Sequence, residues 1–145
     1  MRRSLPFGRL GVALLVAGPA LALPARGGAA DASEALARGE FLYRAHCASC
    51  HGVGGHGDGP VAEDLRTRPS DLTRLSDGSG TFPAERARRS IDGRELLGGH
   101  ASREMPIWGL TFQERSRPGE QEDEVAGRLD DLLEYLRSIQ RHGGR

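Results

Sequence analysis

Lysine is absent from this 145-residue chain: all twenty basic residues are Arg, set against twenty Asp and Glu. With 21 Gly beside it, that bias belongs to the composition of the source and carries no functional weight. Aromatic residues are scarce, with one Trp, two Tyr and four Phe, and there are only two Cys. So few large side chains over this length exclude two independently packed domains and predict one modest domain with a weak core, completed by something other than side-chain packing. No apolar run is long enough to cross a bilayer. The longest, Leu10 to Leu23, has fourteen residues, is broken by Gly18-Pro19, and at about 1.5 Å per residue falls short of a hydrocarbon core of ~30 Å. There is no internal repeat and no segment alternating β-branched or aromatic residues with polar ones, so the expected fold is all-α with long loops.

The zero formal charge conceals an uneven distribution. Arg2, Arg3, Arg9 and Arg26 precede the first acid, Asp31, which leaves sixteen Arg against twenty acids afterwards, a net charge of −4. A mildly acidic domain excludes a nucleic-acid binder, which needs a basic face, and offers little to hold anionic lipid. A basic start, a short apolar stretch and then small residues is the layout of a secretory signal peptide. Residues 1–30 are therefore expected to be removed, with cleavage after Ala22 or Ala30. The remaining domain, 31–145, is expected to work in the periplasm without strong membrane binding. No Cys follows the apolar run, so a lipid-modified N-terminus is not suggested.

Three helices are legible. Asp31-Ala32-Ser33-Glu34 has the form of a capping box, and Ala35, Leu36, Gly39, Leu42 and Tyr43 then share a face, which predicts a helix over about 33–46. Pro83 and Gly93 bracket a short helix over about 83–91. Val125, Leu129, Leu132, Leu133, Leu136 and Ile139 recur at steps of three and four and define the last helix. Between these, Gln113 to Glu124 reads as an exposed connection ending in an acidic helix start.

The chemistry lies in Cys47-Ala48-Ser49-Cys50-His51, which holds both Cys of the chain. Two thiols three apart with His next is the pattern of c-type haem attachment: the thiols meet the porphyrin vinyl groups, and His51 comes under the iron as the proximal ligand. A thioredoxin-type redox pair would want a preceding strand, and a disulfide closing four residues constrains the unfolded chain little and leaves His51 without a role. Zinc on Cys47, Cys50 and two of His46, His51 and His56 would lack a distant pair of ligands. One covalent haem c is the reading adopted. For the sixth position the candidates are Met105, His46, His56, His100 and His142. Met105 leads, because Pro106 stiffens its backbone and 54 residues separate it from His51, enough to wrap the ring and return on its other face.

The order Gly39, Tyr43, Cys47, Cys50, His51, Gly52, then Gly57-Asp58-Gly59-Pro60, then Met105-Pro106-Ile107-Trp108-Gly109, then Tyr135 resembles the class I c-type cytochromes over nearly all of the exported part. The resemblance implies a small cytochrome c-like fold with long loops around one covalent haem. Its first and last helices would cross where Gly39 meets the Tyr135 region. The carbonyl of Pro60 would accept the Nδ1 hydrogen of His51, fixing the imidazole. Arg94 and the indole N–H of Trp108 are candidates to bond a haem propionate, and Ile107, Leu110 and Phe112 candidates for an apolar pocket. A ring of Lys around the haem edge, known in the best-studied members, is missing; the cluster Arg86, Arg88, Arg89 and Arg94 is a candidate local substitute, with the solvated face of a short helix as the alternative reading. The implied function is one-electron transfer, with His51 and Met105 on the iron, between redox protein partners such as a membrane oxidase, a reductase or a periplasmic dehydrogenase. The alternatives are a cytochrome subunit of a dehydrogenase or oxidase complex and, if Met105 leaves the iron, a haem protein that binds ligands or turns over peroxide.

Overall fold

A computed structural model describes residues 27–77, 79–96 and 105–141. His100, His142 and the candidate cleavage point after Ala22 lie outside them. Among the described residues, five α-helices run in the order α1 (Gly27–His46), α2 (Ala48–His51), α3 (Ala84–Asp92), α4 (Trp108–Glu114) and α5 (Gln121–Ser138), with single 3-10 turns at Ala62–Asp64, Leu72–Arg74 and Arg94–Leu96. Among the described residues there is no strand, as the sequence pattern predicts.

The frame is the pair α1 and α5. Leu129, Leu132, Leu133 and Leu136 turn one face of α5 inward and are buried with Val125, Tyr43 and Phe112. Gly39 is what lets the two helices touch: a Cβ there would overlap the carbonyl of Asp131 and press on Cβ of Tyr135. Around that crossing the Tyr43 and Tyr135 rings lie 5.0 Å apart, and Arg38 reaches across to Asp131 with hydrogen bonds of 2.8 and 3.0 Å. The crossing implied by the resemblance is therefore present.

Helix α1 begins at Gly27, six residues before the expected start. The capping box does not form: the hydroxyl of Ser33 donates to the carbonyl of Ala30, one turn back inside the helix. Small residues from 27 to 30 extend the helix past Asp31, so the orphan N–H groups that a cap would satisfy arise earlier. The candidate cleavage point after Ala30 thus falls within α1. Helix α3 matches its expected span within a residue and stops at Gly93, where φ is +69°.

Helix α4 carries no periodic signal in the sequence, because its seven residues bury only Gly109 and Phe112. It is held from outside, since Arg128 on α5 donates to the carbonyl of Phe112 at 3.1 Å and stands over the Phe112 ring, while Ser116 caps the same carbonyl at 2.8 Å. The exposed connection consequently shortens to residues 115–120, ahead of an α5 whose first turn carries Glu122, Asp123 and Glu124.

Candidate haem site

A cavity of about 300 Å³ opens between α2, α3, α5 and the segments 65–75 and 105–108. That is the lower end of the volumes that small-molecule and cofactor sites occupy, ~300–1,000 Å³. Cys47, Cys50 and His51 border it, and so does Met105. Leu132 and Leu136 serve both the core and the cavity wall, so much of the small core is finished only when the cavity is filled.

Local backbone chemistry holds the Cys-X-X-Cys-His segment rigid. The four-residue α2 has carbonyls that its own length cannot satisfy, and the loop after it folds back to do so. Gly59 N–H donates to Cys50, Gly57 N–H to His51 and Val61 N–H to Ser49, at 2.9 to 3.1 Å. The hydroxyl of the fully buried Tyr43 donates to the carbonyl of Gly52 at 2.6 Å. Cys47 and Cys50 are not joined in a disulfide, which leaves both sulfurs for attachment. Before attachment, burial, and then Cys50 beside it, pushes the Cys47 thiol up to about 12.

The orientation of His51 differs from expectation. Its Nδ1 lies 3.0 Å from the carbonyl oxygen of Ser70, not of Pro60. Pro60 is exposed and borders a polar groove, lined also by Asp58 and Glu63, that adjoins the cavity at Leu65 and Arg68. The 68–72 segment is drawn against the loop by the bond from Leu72 N–H to Gly55 at 2.7 Å, and this brings Ser70 to the imidazole. With Nδ1–H donating to Ser70, Nε2 is the nitrogen left to ligate a metal, the arrangement a proximal His requires.

Other expected residues divide. Trp108 borders the cavity, its ring 5.0 Å from that of His46 and 6.0 Å from that of Phe112. His46 is also on the wall, and burial, followed by Arg115 and Arg128, lowers its pKa. His56 stands away from the cavity beside Asp71, 3.7 Å off. Ile107, Leu110 and Phe112 do not form the lining; Leu65, Leu72, Leu75 and Ile91 do, with the two α5 leucines.

Arg94 is not at the cavity. Its guanidinium binds both oxygens of Asp92, at 2.6 and 3.0 Å, and Glu122 at 2.8 Å, joining the end of α3 to the start of α5. The hydrogen bond from Arg94 is the chief cause holding the Asp92 carboxyl below its ordinary range. A depressed carboxylate stabilises the fold at neutral pH, and that contribution is lost as pH falls below about 4. Arg94→Ala is expected to lower stability by about 1 kcal/mol. Urea unfolding at pH 7 would register it, and the difference from wild type should shrink at pH 3.

The arrangement fits covalent haem and does not fit the other readings. Among the described residues no group of three or more His, Cys, Asp and Glu is placed to hold a metal ion, which removes the zinc site, and no strand supports a thioredoxin-like pair. Helix crossing, attachment segment and cavity together define a monohaem class I c-type cytochrome. The chain belongs to the family described as cytochrome c oxidase, cbb3-type, subunit III, whose model matches residues 34–116. No match was found among curated proteins or solved structures. Its cofactor is haem c, for which Cys47 and Cys50 provide the attachment pattern. Among the described residues no helix is long and apolar enough to cross a membrane.

Proposed function

We infer that this chain carries single electrons between redox proteins in the periplasm, with His51 and Met105 as the axial pair. The observation that supports this best is one cavity bordered by Cys47, Cys50 and His51 and also by Met105. Haem held there supplies a one-electron ferrous/ferric couple. The Ser70 carbonyl keeps the His51 ring in one tautomer and raises its basicity. The Met105 thioether is a weak donor that favours the ferrous state, and the leucine-rich wall acts in the same direction by excluding water. With both His51 and Met105 bound, haem would have no open position for substrate, so the chain is read as a carrier and not as an enzyme. Export follows from the N-terminal segment, residues 1–30.

A second reading, a cytochrome subunit of an oxidase complex, draws support from the family description. In that case transfer would run to a fixed partner with the same ligands. Copurification of the tagged holoprotein with solubilised membranes separates the two.

The test of ligation is the ferric visible spectrum of protein matured with covalent haem. Wild type is expected to be low-spin with the weak sulfur-to-iron band at the red edge. Met105→Ala is expected to lose that band, bind cyanide rapidly and show a lower midpoint potential. A wild-type protein that is high-spin and reacts with peroxide would sink the carrier reading in favour of ligand or peroxide chemistry.

A further inference from the structure

Among the described residues, the cavity wall is charged in one sign only. Among its described lining residues there are two guanidinium groups, Arg68 and Arg86, and no carboxylate. They come from different elements, Arg68 from the loop that also provides Ser70, and Arg86 from α3, where Ser90 lies one turn further along the same wall. Neither is in an ion pair among the described residues, although the molecule is rich in carboxylates. Arg38, Arg44, Arg74, Arg88, Arg94, Arg117, Arg128 and Arg137 all have acidic partners. Within the cluster on and after α3, Arg88 is taken by Asp130 and Arg94 by Asp92 and Glu122. Arg86 is the member of that cluster that reaches the cavity.

An apolar cavity with two uncompensated cations on its wall is built for a ligand that is apolar over most of its surface and doubly anionic at one side. Haem c, with its two propionates, is such a ligand. We propose that Arg68 and Arg86 are the propionate partners of this cytochrome, and that their charge raises the midpoint potential. The inference rests on the haem reading above and replaces Arg94 in the role the sequence suggested for it. The physical basis is direct. Carboxylates facing an apolar cavity need charge-assisted donors, and Arg meets a carboxylate with two parallel N–H bonds. Positive charges on the wall of the cavity that would hold the haem favour the ferrous form, because reduction removes one positive charge from the metal.

The test is a redox titration of the matured holoprotein carrying Arg68→Gln, Arg86→Gln, both together, and the corresponding Lys variants. Each Gln variant is expected to shift the ferrous-to-ferric ratio at fixed poise about three- to tenfold toward ferric, at ~59 mV per tenfold for one electron. Haem content and the sulfur-to-iron band should be unchanged in the single variants, and Lys, which keeps the charge, should restore most of the shift. Arg94→Ala, read in parallel, should leave the midpoint where it is. A double Gln variant with full haem and the wild-type potential overturns the proposal, and so do Lys variants that shift as far as Gln. If the double variant does not mature, the single variants decide. Wild-type protein without covalent haem, seen by pyridine haemochrome before any variant is made, would overturn the underlying function and the proposal with it.

Discussion

Gly39→Val is expected to abolish accumulation of folded protein at 37 °C and to lower the melting temperature of whatever is recovered in the cold by more than about 10 °C. At this position a Cβ alone would overlap the carbonyl of Asp131, and the two further methyl carbons of valine have no alternative direction between helices in contact. The clash is with backbone, so no rotamer change relieves it; α1 and α5 must separate. Overpacking of this kind costs about 3 kcal/mol or more, against a total that is at best ~5–15 kcal/mol for a domain and lower for one whose small core borders a cavity. Separation would also move Tyr43, whose hydroxyl holds the Gly52 carbonyl just after His51. Circular dichroism melts and haem incorporation should therefore fail together. Arg38→Ala is the control, because it removes the Arg38 bonds to Asp131 from the same crossing while leaving the backbones in contact, and it should change little. A Gly39→Val protein that melts like wild type would mean the helices do not meet there.

What could be read without a structure was what is local or periodic. The attachment segment is five consecutive residues, and α5 announces itself because Leu129, Leu132, Leu133 and Leu136 repeat at helical spacing. Gly39 was legible only through its place in a familiar order of residues, since nothing in its own neighbourhood says that Asp131 will lie against it. Several contacts that differ from expectation depend on groups distant in sequence. Ser70 and Pro60 are equally plausible carbonyls in sequence, and the choice is made by a backbone bond from Leu72 to Gly55 that any pair of residues could make. Arg94 and Arg86 sit on one short stretch and differ only in their neighbours, since Asp92 and Glu122 hold the first and, among the described residues, no carboxylate lines the cavity to hold the second. Helix α4 depends on Arg128, sixteen residues beyond the carbonyl it caps.

Gly57→Val tests the most consequential of those loop contacts. Gly57 has φ of +73°, a conformation that a β-branched residue adopts at a penalty of ~1–3 kcal/mol, and a Cβ there would overlap the carbonyl of Pro69. The N–H of Gly57 is bonded to His51 at 2.9 Å, so the loop cannot withdraw without releasing the attachment segment. The segment that yields is 69–70, and it carries the Ser70 carbonyl away from Nδ1 of His51. Two effects are expected together. Stability should fall by about 3 kcal/mol, the backbone penalty plus the displaced segment. In protein that still matures, the midpoint potential should rise, because an imidazole without its carbonyl acceptor is a poorer donor and stabilises ferric iron less. That sign is opposite to the one expected for Arg68→Gln and Arg86→Gln, which makes the two influences separable by redox titration on one protein. Gly57→Ala, with the smaller side chain, should move both quantities in the same directions by less. A Gly57→Val protein with a lowered or unchanged potential would show that the Ser70 carbonyl does not tune His51, whatever its effect on stability.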